Sequence, residues 1–187
     1  MKKTWFSLFL CLCVIFSCMS ANADAISISS LEAKYGGNIT IDPNYEGDIT
    51  AEHLAIADAF LAENTITTQQ SVTTAPTLSR GSTTGTASVW AGIPAVGHCY
   101  IYTPYTITYS VNQYGYNDIS SCSLRPSYMS GISAATFAFT RNTWSKIGYS
   151  TARITAYGTL SYGIPGTPLY YTTGEQAFEA DISISGL

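Results

Sequence analysis

Outside the first two dozen residues, cysteine and histidine occur at four positions: His53, His98, Cys99 and Cys122. The adjacent pair suggests a thiol nucleophile at Cys99 with His98 or His53 as its base. Neighbouring residues of a strand point to opposite faces, however, so His98 is poorly placed to reach the sulfur of Cys99. The four positions match no compact zinc-binding spacing. The sequence therefore predicts no catalytic residue, metal site or cofactor, and a cysteine-dependent hydrolase remains the weakest alternative.

The N-terminus has the three parts of a secretory signal peptide. Lys2 and Lys3 precede the apolar run 4–19, and "SANADA" offers small-residue cleavage sites after Ala23 or Ala25. The apolar run is too short to span a bilayer well, so no stable transmembrane segment is expected after cleavage. We expect residues 1–23 to be removed and the protein to be secreted or held at the cell surface. A lipid anchor on Cys18 in "IFSC" is the alternative.

Removal of the signal peptide also removes Cys11, Cys13 and Cys18. Cys99 and Cys122 then remain as an even pair in an exported chain. Such a pair favours a disulfide bond. We therefore predict that Cys99 and Cys122 are linked and pin the fold.

The charges are few and mostly acidic. Without Lys2 and Lys3, six basic residues face twelve acidic ones, which gives a net charge of −6. Eight of the acids lie within residues 24–63, and no stretch concentrates Lys and Arg. Neutralising nucleic-acid phosphates requires such a cluster. A nucleic-acid partner is therefore not expected.

Two segments precede the predicted β domain. Residues 24–63 form an acidic N-terminal segment, with an amphipathic helix predicted at about 50–63 behind the N-cap Thr50. This segment either docks on the domain or is a detachable pro-region. Residues 64–86 are rich in Thr and Ser and poor in large apolar side chains. That composition predicts a linker, although threonine also favours an edge strand.

Residues 87–187 alternate apolar and polar side chains with a period of two. In "TARITAYGTLSYGI" the even positions from Ala152 to Ile164 are apolar and the odd ones mostly polar. The run exceeds the usual strand length, so Gly158 is expected to mark a bend or bulge. "QAFEADISI" alternates in the same way, and turn signals recur about every ten residues. The fold class predicted is mainly β: an antiparallel β-sandwich, Ig-like or a small barrel, preceded by one short helix.

The stretch "HCYIYTPYTITYSV" is the most aromatic part of the chain. If 99–111 is one strand, the odd face holds Cys99, Tyr105 and Tyr109 in the core, while Tyr100 and Tyr102 point outward. Pro104 indicates an edge strand or a break there. The candidate binding surface is made of exposed tyrosines: Tyr100, Tyr102, Tyr157, Tyr114 and Tyr116. The alternative is that these rings only cover cross-strand neighbours.

The features together favour a secreted, non-enzymatic β-sandwich that binds an extracellular glycan or protein. Stiff tyrosine side chains suit recognition because they offer a large contact area at low entropic cost. The alternative function is a membrane-active or self-assembling β protein. Long, uncharged strands rich in Ser, Thr and Tyr suit that function as well.

Overall fold

The computed structural model of the protein describes residues 26–64, 66–72, 77–79, 81–93, 95–131 and 134–184. Two helices and eleven strands lie within these residues. The helices are α1 (Ile28–Tyr35) and α2 (Ala51–Glu63). The strands are β1 (Asn38–Ile41), β2 (Thr67–Val72), β3 (Thr77–Ser79), β4 (Ser82–Ile93), β5 (Gly97–Val111), β6 (Asn117–Leu124), β7 (Tyr128–Ser130), β8 (Ala135–Lys146), β9 (Thr151–Gly163), β10 (Leu169–Thr172) and β11 (Gln176–Ser183).

The strands form two antiparallel sheets. In sheet A, β8 pairs with one side of β9, β10 and β11 pair in turn with its other side, and β1 adds to β10. In sheet B, β2 and β3 lie along β4, β4 pairs with β5, and β6 and β7 lie along β5. β11 lies against β2 and β4, and β8 lies beside β6 and β7. The predicted mainly β, antiparallel sandwich is confirmed.

The alternation along β9 places its apolar side in the core, as predicted. Ile154 and Leu160 are fully buried between the sheets. Opposite Gly158, β8 carries one extra residue, Thr140, so the expected irregularity at Gly158 is a bulge in the partner strand. A Cβ at Gly158 would lie 2.3 Å from the ring of Phe137. Glycine at this position therefore lets that ring lie directly on the backbone of β9.

β5 runs unbroken through Pro104, and the interruption falls in the neighbouring edge instead. Pro104 lacks an N–H group, so it donates no hydrogen bond to a neighbouring strand. That edge is divided: β7 pairs with residues 100–102 and β6 pairs with residues 105–111. Between them the buried hydroxyl groups of Thr103 and Ser127 share a hydrogen bond of 2.7 Å. The expectation that β5 is an edge strand or is broken is therefore wrong, because two short strands accommodate the missing donor.

Both helices begin at capping boxes. The Thr50 Oγ1 accepts from the His53 backbone N–H at 3.2 Å, and the Thr50 N–H donates to the His53 Nδ1 at 3.3 Å. The helix predicted at about 50–63 thus lies at Ala51–Glu63, and His53 is a capping residue. Helix α1 begins at Ser27 and ends at Gly36, whose φ of 68° is left-handed. Its eight residues bury Leu31 alone, which is too little periodicity to predict a helix.

The acidic N-terminal segment is built into the sandwich. β1 extends sheet A beside β10, and the ring of Phe60 in α2 lies 6.4 Å from the ring of Tyr162 in β9. The carboxylate of Asp58 joins the helices, because it accepts from Lys34 at 2.6 Å and from the Tyr35 hydroxyl at 2.7 Å. These two hydrogen bonds hold the pKa of Asp58 below its usual value. Of the two roles considered for the segment, docking on the domain fits these contacts.

The linker predicted at 64–86 contains most of three strand segments. β2, β3 and the first part of β4 lie there, and the backbones of β2 and β3 both pair with β4. The side chains of Thr67, Thr68 and Gln69 are exposed. An edge strand of this kind gains its stability from backbone pairing, so poverty in large apolar residues does not exclude it. The described strands of this segment fit the edge-strand alternative.

The predicted signal peptide 1–23, its cleavage site and the candidate lipid anchor Cys18 lie outside the described residues. Within the described part of the chain, neither helix has the length and apolar character needed to cross a membrane.

Candidate functional site

The two cysteines lie on adjacent strands but far apart. Cys99 on β5 is opposite Ala91, whereas Cys122 on β6 is opposite Ile107. Cys99 and Ile107 are separated by eight residues of extended chain, about 26 Å at about 3.3 Å per residue. A disulfide needs Cα atoms within about 7 Å of each other. Both thiols are free, and the predicted Cys99–Cys122 disulfide is wrong.

Neither thiol is arranged as a nucleophile. Burial raises the pKa of the Cys99 thiol and raises that of Cys122 to about 11, so both stay protonated near neutral pH. Cys99 is buried beneath sheet B, while the preceding His98 is exposed on the outer face. Among the described residues, no group of three His, Cys, Asp or Glu side chains is placed to hold a metal ion.

Five rings form a continuous row on the outer face of sheet B, which we call the aromatic strip. Its members are Trp90 of β4, His98, Tyr100 and Tyr102 of β5, and Tyr128 of β7. The ring centroids lie 6.4, 6.3, 6.0 and 5.4 Å apart in the order Trp90, His98, Tyr100, Tyr102 and Tyr128. Because Trp90 is opposite Tyr100 and Tyr128 is opposite Tyr102, the row crosses three strands.

The strand register creates the strip. Side chains at alternate positions of β5 point outward, so residues 98, 100 and 102 lie in one line. The inward positions between them, Cys99 and Ile101, are fully buried. The prediction that Tyr100 and Tyr102 face away from the core is therefore confirmed.

At one end of the strip the indole of Trp90 lies flat on the backbone of Gly92. A Cβ at Gly92 would come within 2.2 Å of the indole Cη2. Beside it is a groove of about 290 Å³. Its lining residues are Thr67, Trp90, Gly92, Ile93, Ala95, Gly97 and His98. The strip thus leads into a shallow depression bordered by aromatic rings and small residues.

The strip carries no acidic residue, lysine or arginine. The outward positions of β4, β5 and β7 are Ser, Thr, Gly, Pro, Trp, Tyr or His among the described residues. Tyr128 is 51% exposed, His98 is exposed, and the other three rings are half-buried. This arrangement offers ring faces, hydroxyl groups and one imidazole to a neutral partner.

The structure separates the other predicted site residues from Tyr100 and Tyr102. Tyr157 lies on the outer face of sheet A, where the Arg141 guanidinium stacks 4.1 Å from its ring centroid. Tyr114 and Tyr116 lie in the β5–β6 turn, 72% and 63% exposed. The five predicted tyrosines therefore do not form one surface.

Sequence reasoning missed three members of the strip. Trp90 and Tyr128 were not proposed, and His98 was considered only as a base. The alternation in "SVWAGI" puts Val89 and Ala91 on the buried face, so it also indicates that Trp90 points outward. Tyr128 lies in a three-residue strand, which is too short for alternation to show its direction.

Comparison of the chain with protein-family models, with curated proteins and with solved structures found no match.

Proposed function

We propose that the protein is an exported, non-enzymatic binding module that holds a neutral glycan chain along the aromatic strip. The observation that carries the proposal is the row of five neighbouring rings on a part of sheet B where the outward residues of β4, β5 and β7 carry no acidic, lysine or arginine side chain among the described residues. The predicted signal peptide supports export to a place where such glycans are found.

The chemistry of the strip suits a sugar more than a charged partner. Ring faces carry partial negative charge, and they attract the partially positive C–H groups of a pyranose. Hydroxyl groups of Tyr100, Tyr102 and Tyr128 can exchange hydrogen bonds with sugar hydroxyls. A charged partner would lose hydration against this face without gaining an ion pair. A linear chain also matches a row of rings about 6 Å apart.

The test is a glycan array of neutral polysaccharides, followed by calorimetry of the best ligand with the wild type and with variants. Trp90→Ala and Tyr102→Ala should each weaken binding about tenfold, the change produced by a loss of about 1.4 kcal/mol. Tyr157→Ala is the matched control, because it removes a tyrosine from the opposite face. It should leave the affinity unchanged.

Two results would contradict the proposal. One is the absence of any glycan ligand on the array. The other is an equal loss of affinity in Tyr157→Ala and Tyr102→Ala, since that would show a general effect on the fold.

A second function, membrane association, is supported by an exposed apolar tip at one end of the sandwich. Its members are Val111, Tyr114, Tyr116, Ile147 and Tyr149, which are 48–72% exposed. They lie at the end of β5, in the β5–β6 turn and in the β8–β9 turn. The N–H of Ile119 in β6 donates to the Tyr149 carbonyl at 2.8 Å and so holds the β8–β9 turn against β6. Tyrosine is favoured at membrane–water interfaces. Cosedimentation with phosphatidylcholine vesicles, lost in Tyr114→Ser/Tyr149→Ser, would favour this function over glycan binding.

A further inference from the structure

A cavity of about 240 Å³ lies where the helices meet sheet A, away from the aromatic strip. It is bordered by the C-terminal parts of both helices, by β9 and β10, and by the turn into β11. The lining residues are Tyr35, Gly36, Leu61, Asn64, Ile66, Tyr162, Tyr171, Thr173, Gly174 and Gln176.

Tyr162 is the lining tyrosine whose hydroxyl makes no hydrogen bond to a described residue, unlike those of Tyr35 and Tyr171. The residue is 2% exposed, but its hydroxyl is not one of the fully buried oxygens that lack a partner, so the oxygen keeps some accessible surface where the residue lines the cavity. Its ring is fixed by Phe60 at 6.4 Å and Tyr171 at 5.7 Å between centroids. A hydroxyl group that makes no hydrogen bond within the protein and borders a cavity can donate to a molecule bound there.

The other polar groups of the wall are already committed or accept hydrogen bonds. The Tyr171 hydroxyl donates to the Tyr35 carbonyl at 2.8 Å, and the Tyr35 hydroxyl donates to Asp58. The side-chain amides of Asn64 and Gln176 donate to the Phe60 and Gly174 carbonyls at 2.6 and 3.3 Å. Their amide oxygens remain acceptors. The Thr173 hydroxyl accepts from the Leu160 N–H at 3.1 Å and keeps its own proton. The cavity therefore combines two hydroxyl donors, on Tyr162 and Thr173, with two amide acceptors and three tyrosine rings.

Charge and size narrow the class of ligand. None of the ten lining residues is charged, so an ion entering the cavity would lose its hydration without a counter-charge. Pockets for drug-sized molecules have volumes of about 300–1,000 Å³, and this cavity is smaller. These two features favour a small neutral ligand that carries both donors and acceptors.

We propose that this cavity binds one neutral pyranose unit, with the Tyr162 hydroxyl donating to a sugar oxygen and the amide oxygens of Asn64 and Gln176 accepting from sugar hydroxyls. The site is separate from the aromatic strip and does not depend on it. A protein with both sites would hold a chain on one face and a single sugar unit at the helix–sheet junction.

The test is saturation-transfer NMR on the full chain with three probes: D-glucose, D-galactose and N-acetyl-D-glucosamine. At least one of the three sugars should receive saturation from the protein. The affinity for that sugar should fall at least about fivefold in Tyr162→Phe. This variant keeps the ring and removes only the hydroxyl. Tyr105→Phe is the matched control, because it also removes only a hydroxyl from a buried tyrosine, and Tyr105 does not line the cavity. Its binding should equal that of the wild type.

The Trp90→Ala variant separates this proposal from binding at the strip. Binding that survives Trp90→Ala and is lost in Tyr162→Phe assigns the sugar to the cavity. The reverse pattern overturns the cavity proposal and leaves the strip proposal standing. The cavity proposal is also overturned if none of the three sugars receives saturation from the protein. It is overturned as well if crystals soaked in these sugars contain only water beside Tyr162.

Discussion

The buried tyrosines differ in what their hydroxyl groups contact. The Tyr171 hydroxyl donates to a backbone carbonyl, and the Tyr162 hydroxyl borders a cavity. The Tyr105 hydroxyl is buried and has no hydrogen-bond partner within the part of the chain that the structure describes. It lies across the backbone of Gly85, where a Cβ would come within 2.5 Å of the Tyr105 Oη. Burial raises the pKa of all three phenols, so each remains a neutral donor near neutral pH.

Tyr105→Phe should therefore stabilise the protein by about 1 kcal/mol, because it removes a buried donor that has no acceptor and keeps the ring in place. Tyr171→Phe is the matched substitution, and its effect on the free energy of unfolding should have the opposite sign. It removes a hydrogen bond of 2.8 Å and should destabilise by about 1 kcal/mol. Urea midpoints at constant m-value measure both changes. A destabilised Tyr105→Phe would mean that its hydroxyl has a partner after all.

The cysteines show what residue types alone do not reveal. Two cysteines in an exported chain suggest a pair, but pairing depends on the separation of Cα atoms, and that separation depends on register. Cys122 lies opposite Ile107 because β6 pairs with the C-terminal half of β5. Nothing in the local sequence of either cysteine specifies this register. The alternation of inward and outward side chains along a strand is, in contrast, a local property, and it correctly predicts that Cys99 lies in the core.

At the scale of elements, strands with long alternating runs were predictable. β9 and β11 alternate cleanly, and their apolar sides are buried. Elements stabilised by few side chains were not. Helix α1 buries one side chain, and β2 relies on backbone pairing with β4. The members of the aromatic strip on β5 were predictable from alternation along that strand, whereas Tyr128 was not, because β7 has only three residues.

Gly92 sets the position of the Trp90 indole in the strip, because the indole lies on the Gly92 backbone where a Cβ would otherwise be. Gly92→Ala should displace the indole and weaken glycan binding as much as Trp90→Ala, although no ring is removed. Overpacking should also cost about 1–3 kcal/mol of stability. Calorimetric titration with the array ligand and urea unfolding measure the two effects.

Gly163→Ala provides the comparison for that variant. Gly163 lies in strand β9, and an added Cβ would meet Tyr170 at an ordinary 3.6 Å. Its affinity for the glycan should match the wild type. If Gly92→Ala also binds the glycan with the affinity of the wild type, the position of the Trp90 indole does not contribute to glycan recognition.

At the scale of the whole molecule, strands from residues 24–63 and from residues 64–86 belong to the two sheets. β1, from the acidic segment, is an edge strand of sheet A, and β2, from the predicted linker, is an edge strand of sheet B. The segment before β4 thus contributes to both sheets. Composition could not predict this, because pairing between strands distant in sequence leaves no local pattern.

The thiols of Cys99 (buried) and Cys122 (half-buried) and the buried phenols together make the whole fold sensitive to alkali. Burial raises the pKa of Cys122 from 9.0 to about 11 and that of Tyr162 from 10.0 to about 12, and raises those of Cys99, Tyr105 and Tyr171 in the same direction. In the unfolded chain these groups lose their protons at the lower, ordinary values. The folded state therefore binds more protons than the unfolded state between about pH 9 and 12, and stability falls as pH rises through that window.

Urea midpoints should be flat from neutral pH to about pH 8.5 and should then fall progressively up to about pH 11, reversibly on return to neutral pH. The double variant Cys122→Ala/Tyr162→Phe lacks two of the titrating groups, so its midpoint should fall less steeply over the same range. Each variant is compared with its own midpoint at neutral pH, which removes the packing cost of the substitutions. A midpoint that stays constant up to about pH 11 in the wild type would show that these groups reach solvent in the folded protein. The burial of these thiols and phenols would then have to be revised.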